Sequence, residues 1–222
     1  MIVIGREFLS YDKDNIKYYI NFPKLYNDND FIKDEMTELI NEIIFEDIVI
    51  FLEIVEDSNS NIDENNIMIN SLTEFEVGFQ SEDIVSIAIE YTQLSGFLDI
   101  SYLKGYNYDF SLKKEIKLKD LFKKEVEFEE ILKNYISEQI VKIIREITNP
   151  KEYGLDEIIV DNIYIDENSI FYFDSKYLIL PFSSCELSQN IMNLVEFKIP
   201  FNRIYSYLSE YAMKNLIKSI IF

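Results

Sequence analysis

The stretch Thr73-Glu74-Phe75-Glu76-Val77-Gly78-Phe79-Gln80 decides the fold class. Phe75, Val77 and Phe79 alternate with Glu74, Glu76 and Gln80, the period-two pattern of a strand with one face buried and the other wet. The pattern repeats downstream. Val85, Ile87, Ile89 and Tyr91 form a second strand, and Leu98, Ile100 and Tyr102 lead a third into Tyr106 and Tyr108. Short connections between consecutive strands predict an antiparallel meander.

On the N-terminal side, Ile2 to Leu9 and Ile16 to Phe22 read as two short strands around a polar turn at residues 11–15, an opening hairpin. After Pro23, the cluster Asn27-Asp28-Asn29-Asp30 supplies a helix-capping signal. Met36, Leu39, Ile40, Ile43 and Ile44 then recur at the spacing of one helical face. The spacing predicts a helix from near Asp30, carried through Leu52 and Val55 by a nearly all-round apolar pattern. Glu56 to Asn66 is polar and turn-rich and reads as an exposed loop.

On the C-terminal side lies the strongest helical signal. Phe128, Ile131, Leu132, Tyr135, Ile136, Ile140, Ile143 and Ile144 make one apolar stripe, ended by Asn149-Pro150 and Gly154. Short strands follow at Ile163 to Ile165, Ile170 to Phe173, Tyr177 to Leu180 and Val195 to Ile199. Pro200 then introduces a last helix bearing Ile204, Leu208, Ala212, Leu216 and Ile220. The expected class is α+β, with antiparallel sheets carrying helices packed on one face. Two adjoining subdomains, residues 1–125 and 126–222, are expected in one compact unit.

Composition bounds the chemistry. The chain has 222 residues, 48% of them apolar and 15% aromatic, which is ample material for a core. It contains no His and a single Cys, so His-dependent triads, HExxH zinc sites and internal disulfides are excluded. Forty-one acidic against 21 basic residues give a net charge of −20. That field repels nucleic acid and anionic lipid and attracts a basic partner. The N-terminus lacks the basic leader and apolar core of a signal peptide, and no apolar run is long enough to span a membrane. A cytoplasmic location without membrane insertion is therefore expected.

Motif candidates reduce to their plainer readings. Asp57-Ser58-Asn59-Ser60-Asn61-Ile62-Asp63 mimics the start of a calcium loop, but Ile62 stands where Gly is needed and Met68 where a bidentate Glu is needed. The carboxylate pairs Asp156-Glu157 and Asp166-Glu167 are unremarkable among so many acids. Cys185 has no basic neighbour to activate it. With five Gly and neither GxGxxG nor GxxxxGK[ST], no nucleotide is implied. No catalytic, metal or cofactor site is expected. Of the 33 aromatics, most fill core positions, and Tyr102, Tyr106 and Tyr108 are the ones expected to be exposed for binding.

The segments Ser86 to Tyr91, Leu94-Ser95-Gly96, Tyr106-Asn107-Tyr108-Asp109-Phe110 and Ile116 to Phe122 occur in the order seen in a bacterial family. So do Ile170-Phe171-Tyr172-Phe173, Tyr177, Leu180-Pro181-Phe182 and Val195 to Phe201. From about Lys17 onward the chain resembles the RsiV/PdaC-like family, in which a DUF4163 domain precedes a DUF3298 domain. It departs where the family has Gly-Gly-Ala-His, carrying Gly96-Phe97-Leu98-Asp99, and where the family has Tyr-Ala-Ala-Gly, carrying Phe182-Ser183-Ser184-Cys185. The missing imidazole at Asp99 removes any role of that His.

The resemblance implies a non-enzymatic recognition domain of the cell envelope that binds a basic protein such as lysozyme, or a cell-wall glycan. Relatives are often exported. The residues it marks as ligand contacts are Gly96, Phe97, Asp99, Tyr102, Tyr106, Tyr108, Tyr177 and Phe182. A stand-alone intracellular interaction or structural protein that kept the fold is the competing expectation, and a carboxylate-dependent hydrolase ranks third.

Overall fold

A computed structural model describes residues 2–13, 16–27, 35–60, 68–95, 100–146, 163–187 and 194–217. Strands β1 (Ile2–Lys13) and β2 (Ile16–Asn27) pair antiparallel along their whole length. Both outrun the apolar pattern that defined them. Pro23 is accommodated because β2 pairs with β3 only over Ile16 to Ile20, so the missing N–H of Pro23 faces no strand on that side.

Helix α1 (Glu35–Ser60) buries Met36, Ile40, Ile44, Ile48, Phe51 and Val55, each worth about 2 kcal/mol on removal from water. Leu39, expected on that face, is 47% exposed, because the buried line advances by three and four residues from Met36 and leaves position 39 to one side. The expected loop after Val55 is in part helical. Glu56 to Ser60 continue α1, so the calcium-like run begins inside a helix; its remainder lies outside the described residues.

The chain returns from α1 into β3 (Ile69–Gln80), which therefore runs parallel to β2. The α+β class holds, but this crossover makes the sheet mixed rather than wholly antiparallel. Strands β4 (Ile84–Leu94), β5 (Ile100–Asp109) and the two-residue β6 (Lys114–Glu115) complete the order β1-β2-β3-β4-β5-β6, with the expected meander from β3 to β5. Val85, Ile87, Ile89 and Tyr91 all face α1.

A bulge between Val77 and Phe79 breaks the alternation that defined β3. Phe75 packs against the α1 core, whereas Phe79 lies opposite Ser86 and meets Phe173 at 5.5 Å on the other face. The single face expected for Phe75, Val77 and Phe79 is thus two faces, because the extra residue at Gly78 inverts every side chain after it.

The C-terminal segment builds a second sheet on that other face. Helix α2 (Phe128–Glu146) buries Phe128, Leu132, Ile136 and Ile140. Strands β7 (Tyr172–Phe173), β8 (Tyr177–Phe182) and β9 (Val195–Pro200) are antiparallel, with the short helix α3 (Ser184–Leu187) after β8. Ile163 and Ile165 are buried, yet residues 163–165 pair with no strand. This second core also takes Ile84, Ile116, Leu118, Leu121 and Phe122.

The last helix is broken into α4 (Phe201–Ile204), a 3-10 turn at Tyr205–Tyr207 and α5 (Glu210–Asn215). Its expected stripe is buried at Ile204, Leu208, Ala212 and Leu216, while Ile220 lies outside the described residues. The break has a cause. Leu208 bridges Phe122, the Lys123 N–H donates to the Tyr207 carbonyl at 3.0 Å, and the Ser209 N–H donates to the Leu121 carbonyl at 2.9 Å. Ser209 Oγ then caps α5 by accepting from the Ala212 N–H and donates to the Asp120 carbonyl at 2.7 Å. No described helix is long and apolar enough to cross a membrane.

Candidate functional site

Four residues seat the second sheet on the first. Gly78 and Gly105 present bare backbone to β7: a Cβ would stand 2.5 Å from the Phe173 carbonyl oxygen at the first and 1.9 Å from the Phe171 carbonyl oxygen at the second. Between them, Ser86 Oγ accepts from the Phe173 N–H at 2.9 Å and donates to Asn107 Oδ1 at 2.6 Å. Asn107 Nδ2 donates to the Phe171 carbonyl at 2.8 Å. These contacts hold β7 against β4 and β5 and leave an open cleft where the sheets diverge.

That cleft encloses about 710 Å³ on the face of the first sheet opposite α1. Its floor is Ala88, Leu103 and Tyr172, part of a small apolar cluster with Ile179, against which Tyr177 and Leu194 pack. Among the described residues, its walls carry Glu74 and Glu76 from β3, Glu90 from β4 and Glu196 from β9, and the ammonium of Lys198. Glu74 accepts from Asn21 Nδ2 at 2.6 Å and lies 3.9 Å from Arg6. Glu90 accepts from Ser101 Oγ at 2.6 Å, and Glu196 from the Tyr172 hydroxyl at 2.7 Å. Burial, reinforced by that bond to Glu196, pushes the Tyr172 phenol up, so it stays protonated as a donor.

The arrangement suits some ligands better than others. Among the described residues, no group of three or more acidic or Cys side chains is placed to hold a metal ion, so these carboxylates are spread rather than convergent. The cleft is a poor platform for sugar: the Tyr172 ring is 1% exposed, and Phe75 turns its half-buried ring to the α1 side, with the Arg6 guanidinium 5.0 Å over it. A dispersed set of anions around an apolar floor matches several cationic side chains carried on aliphatic stems.

The residues singled out from sequence distribute differently. Gly96, Phe97 and Asp99 lie outside the described residues. Tyr106 and Tyr108, expected to be exposed, are 4% and 6% exposed, and Tyr102 is half-buried. They alternate on the α1 face of β5, so the helix covers them. Tyr106 donates to Asp47 of α1 at 2.7 Å and its hydroxyl lies 3.0 Å from that of Tyr91, on whose ring Tyr102 stacks at 5.0 Å. Lys104 pairs with the same Asp47. Tyr177 borders the cleft floor, and Phe182 is buried in the second core, edge-on to Phe197 at 5.6 Å.

The four glutamates were visible in the sequence only as the polar half of the strand alternation. Nothing local distinguished them from a solvated face, because their lining one cleft depends on β9 lying near β3 and β4.

This architecture defines an α+β protein of two stacked sheets, a mixed one with a crossover helix and an antiparallel one closed by C-terminal helices. The chain matches no protein-family model and no curated protein. Its fold is that of solved DUF3298 structures. A crystal structure of a DUF3298 family member from Bacteroides fragilis superposes with TM-score 0.64 at 17% identity, covering 98% of each chain. One of a DUF3298 family protein from Pseudomonas aeruginosa superposes with TM-score 0.61 at 12% identity, covering 95% of each. At these identities the similarity is one of fold.

Proposed function

We propose that this chain is a non-catalytic recognition module whose inter-sheet cleft receives lysine and arginine side chains of a basic protein. The observation that supports it is the placing of Glu74, Glu76, Glu90 and Glu196 around one cleft with, among the described residues, a single lysine. The resemblance of its motifs to the RsiV/PdaC-like family suggests the partner class, a small cationic protein of the lysozyme type. The poor exposure of aromatic rings in the cleft favours that partner over a wall glycan.

The test is calorimetric titration with a c-type lysozyme at low salt and at about 0.15 M, where unlocalised attraction between exposed charges is largely screened. Binding that persists at the higher salt, and that Glu74→Gln, Glu90→Gln and Glu196→Gln together abolish, supports the reading. Removing the same charge by Glu127→Gln, Glu130→Gln and Glu138→Gln leaves the cleft intact, so an equal loss there overturns it: the attraction is then only that of a −20 chain.

A further inference from the structure

The two edges of the six-stranded sheet are unlike. Strand β6 is two residues long and offers almost nothing to pair with, the usual way of blunting an edge. Strand β1 runs for 12 residues with no proline and no break in its register to β2, and no described strand pairs with its outer side. Phe8, Leu9 and Tyr11 are 57%, 37% and 40% exposed on it. A bare edge of that length and apolarity is a template for another strand.

The charge pattern selects the partner. In a chain of net charge −20, β1 carries Arg6 and Lys13 against Glu7 and Asp12 and is neutral. Its charges are also self-complementary about Leu9. If two β1 strands pair antiparallel with Leu9 opposite Leu9, each Arg6 falls opposite the Asp12 of the other copy, and each Glu7 opposite a Tyr11, which donates a hydrogen bond to a carboxylate. A one-residue shift places Arg6 opposite Lys13 and Glu7 opposite Asp12, both repulsive.

Both groups reach solvent. The Arg6 side chain, 62% exposed, lies over Phe75 and only 3.9 Å from Glu74, a loose contact that it leaves to meet a second copy; the Asp12 side chain, 68% exposed and bonded to Lys17 at 2.8 Å, keeps a second oxygen to accept from a guanidinium. Beside the edge, Leu9, Phe22, Pro23 and Phe45 line a groove of about 360 Å³. Leu9 of a second copy, directly opposite and on the same face, covers it.

We propose that β1 is a homodimer interface at which two copies join through antiparallel β1 strands centred on Leu9, making one continuous sheet across a two-fold axis. Such an isologous contact closes on itself and ends growth at two copies. Because the two chains repel over distance, association strengthens with salt, whereas capture of a basic protein in the cleft weakens with it. The two proposals therefore fail separately.

Sedimentation of the full chain across concentration and salt should give twice the monomer mass, more readily at high salt. Arg6→Asp sets two acids opposite each other at both ends of the pair and should weaken association at least about tenfold. Adding Asp12→Arg restores the opposition and should recover it, a rescue that a merely misfolded variant would not show. In a Cys185→Ser background, Leu9→Cys should form an intermolecular disulfide on oxidation, since directly opposed strand residues lie about 4.5–5.5 Å apart, and Val3→Cys should not. A monomer at every salt and concentration, or a dimer indifferent to Arg6 and Asp12, overturns the proposal.

Discussion

The side-chain amide of Asn107 donates to the backbone carbonyl of Phe171 at 2.8 Å, 64 residues along the chain, and both are buried. A strand of only two residues is thereby fixed across the face of a sheet it does not pair with. On the side away from β8, the Phe173 N–H and the carbonyl of Phe171, just ahead of the strand, find side-chain partners in Ser86 and Asn107.

Replacing Asn107 by Leu leaves the Phe171 carbonyl without its donor and the Ser86 O–H without its acceptor, while Ser86 Oγ still accepts from the Phe173 N–H. We expect a loss of about 2–4 kcal/mol in urea unfolding, from two buried polar groups at about 1–3 kcal/mol each with partial relaxation. A loss under about 0.5 kcal/mol would show that β7 is held by apolar contact alone.

Gly105→Ala places a methyl group against the backbone oxygen of Phe171, which cannot step aside without moving β7. It should cost more than about 3 kcal/mol or prevent folding. Gly5→Ala is the control. There the nearest atom belongs to the ring of Tyr26, which is 41% exposed and held only by an exposed 3.3 Å hydroxyl bond to Glu7 and the Lys24 ammonium over its ring, so it can shift and the change should cost less than about 1 kcal/mol.

Asp109 ties the end of β5 to α5 through the Tyr211 hydroxyl at 2.7 Å. Burial alone would raise its carboxyl, but hydrogen bonds from Ser111, Tyr211 and the Leu112 and Ser111 amides outweigh that and hold it below the ordinary 3.8. A depressed carboxylate stabilises the fold above its unfolded value and loses that contribution as pH falls through the folded one. Tyr211→Phe should cost about 1.5–3 kcal/mol near neutrality, and the gap from the parent should narrow below about pH 4 in acid unfolding curves.

The covered tyrosines set the alkaline limit. Burial pushes Tyr102 and Tyr108 up to about 12, and Tyr91 and Tyr106 upward with them. These groups stabilise the fold fully below the ordinary value near 10, and the contribution drains away as pH rises from about 10 to about 12. Their phenolate absorbance should therefore appear together with loss of tertiary structure. Ionisation of Tyr106 in a chain still folded would contradict its burial against Asp47.

Where a pattern was local, the sequence sufficed. The period-two run of β4 named its buried residues one by one, and the three-and-four spacing of α2 named the buried Phe128, Leu132, Ile136 and Ile140 with the half-buried Ile131 and Tyr135 beside them, because a strand or a helix projects side chains at a fixed interval. The 48% apolar content and the absence of His were enough to foresee a cored protein without imidazole chemistry.

Tertiary structure alone decided the rest. The bulge at Gly78 turned Phe79 to the second core, the backbone of residues 121–123 cut the last helix at Leu208, and α1 carried β3 back parallel to β2. Tyr106 and Tyr108 were expected to be exposed for binding, and nothing local in β5 could say that α1 lies over them. Nor could the strand alternation gather Glu74, Glu90 and Glu196 around one cleft. Each of these depends on which distant segment supplies a hydrogen bond or an apolar surface, and that partner stands tens of residues away, beyond the reach of any local period.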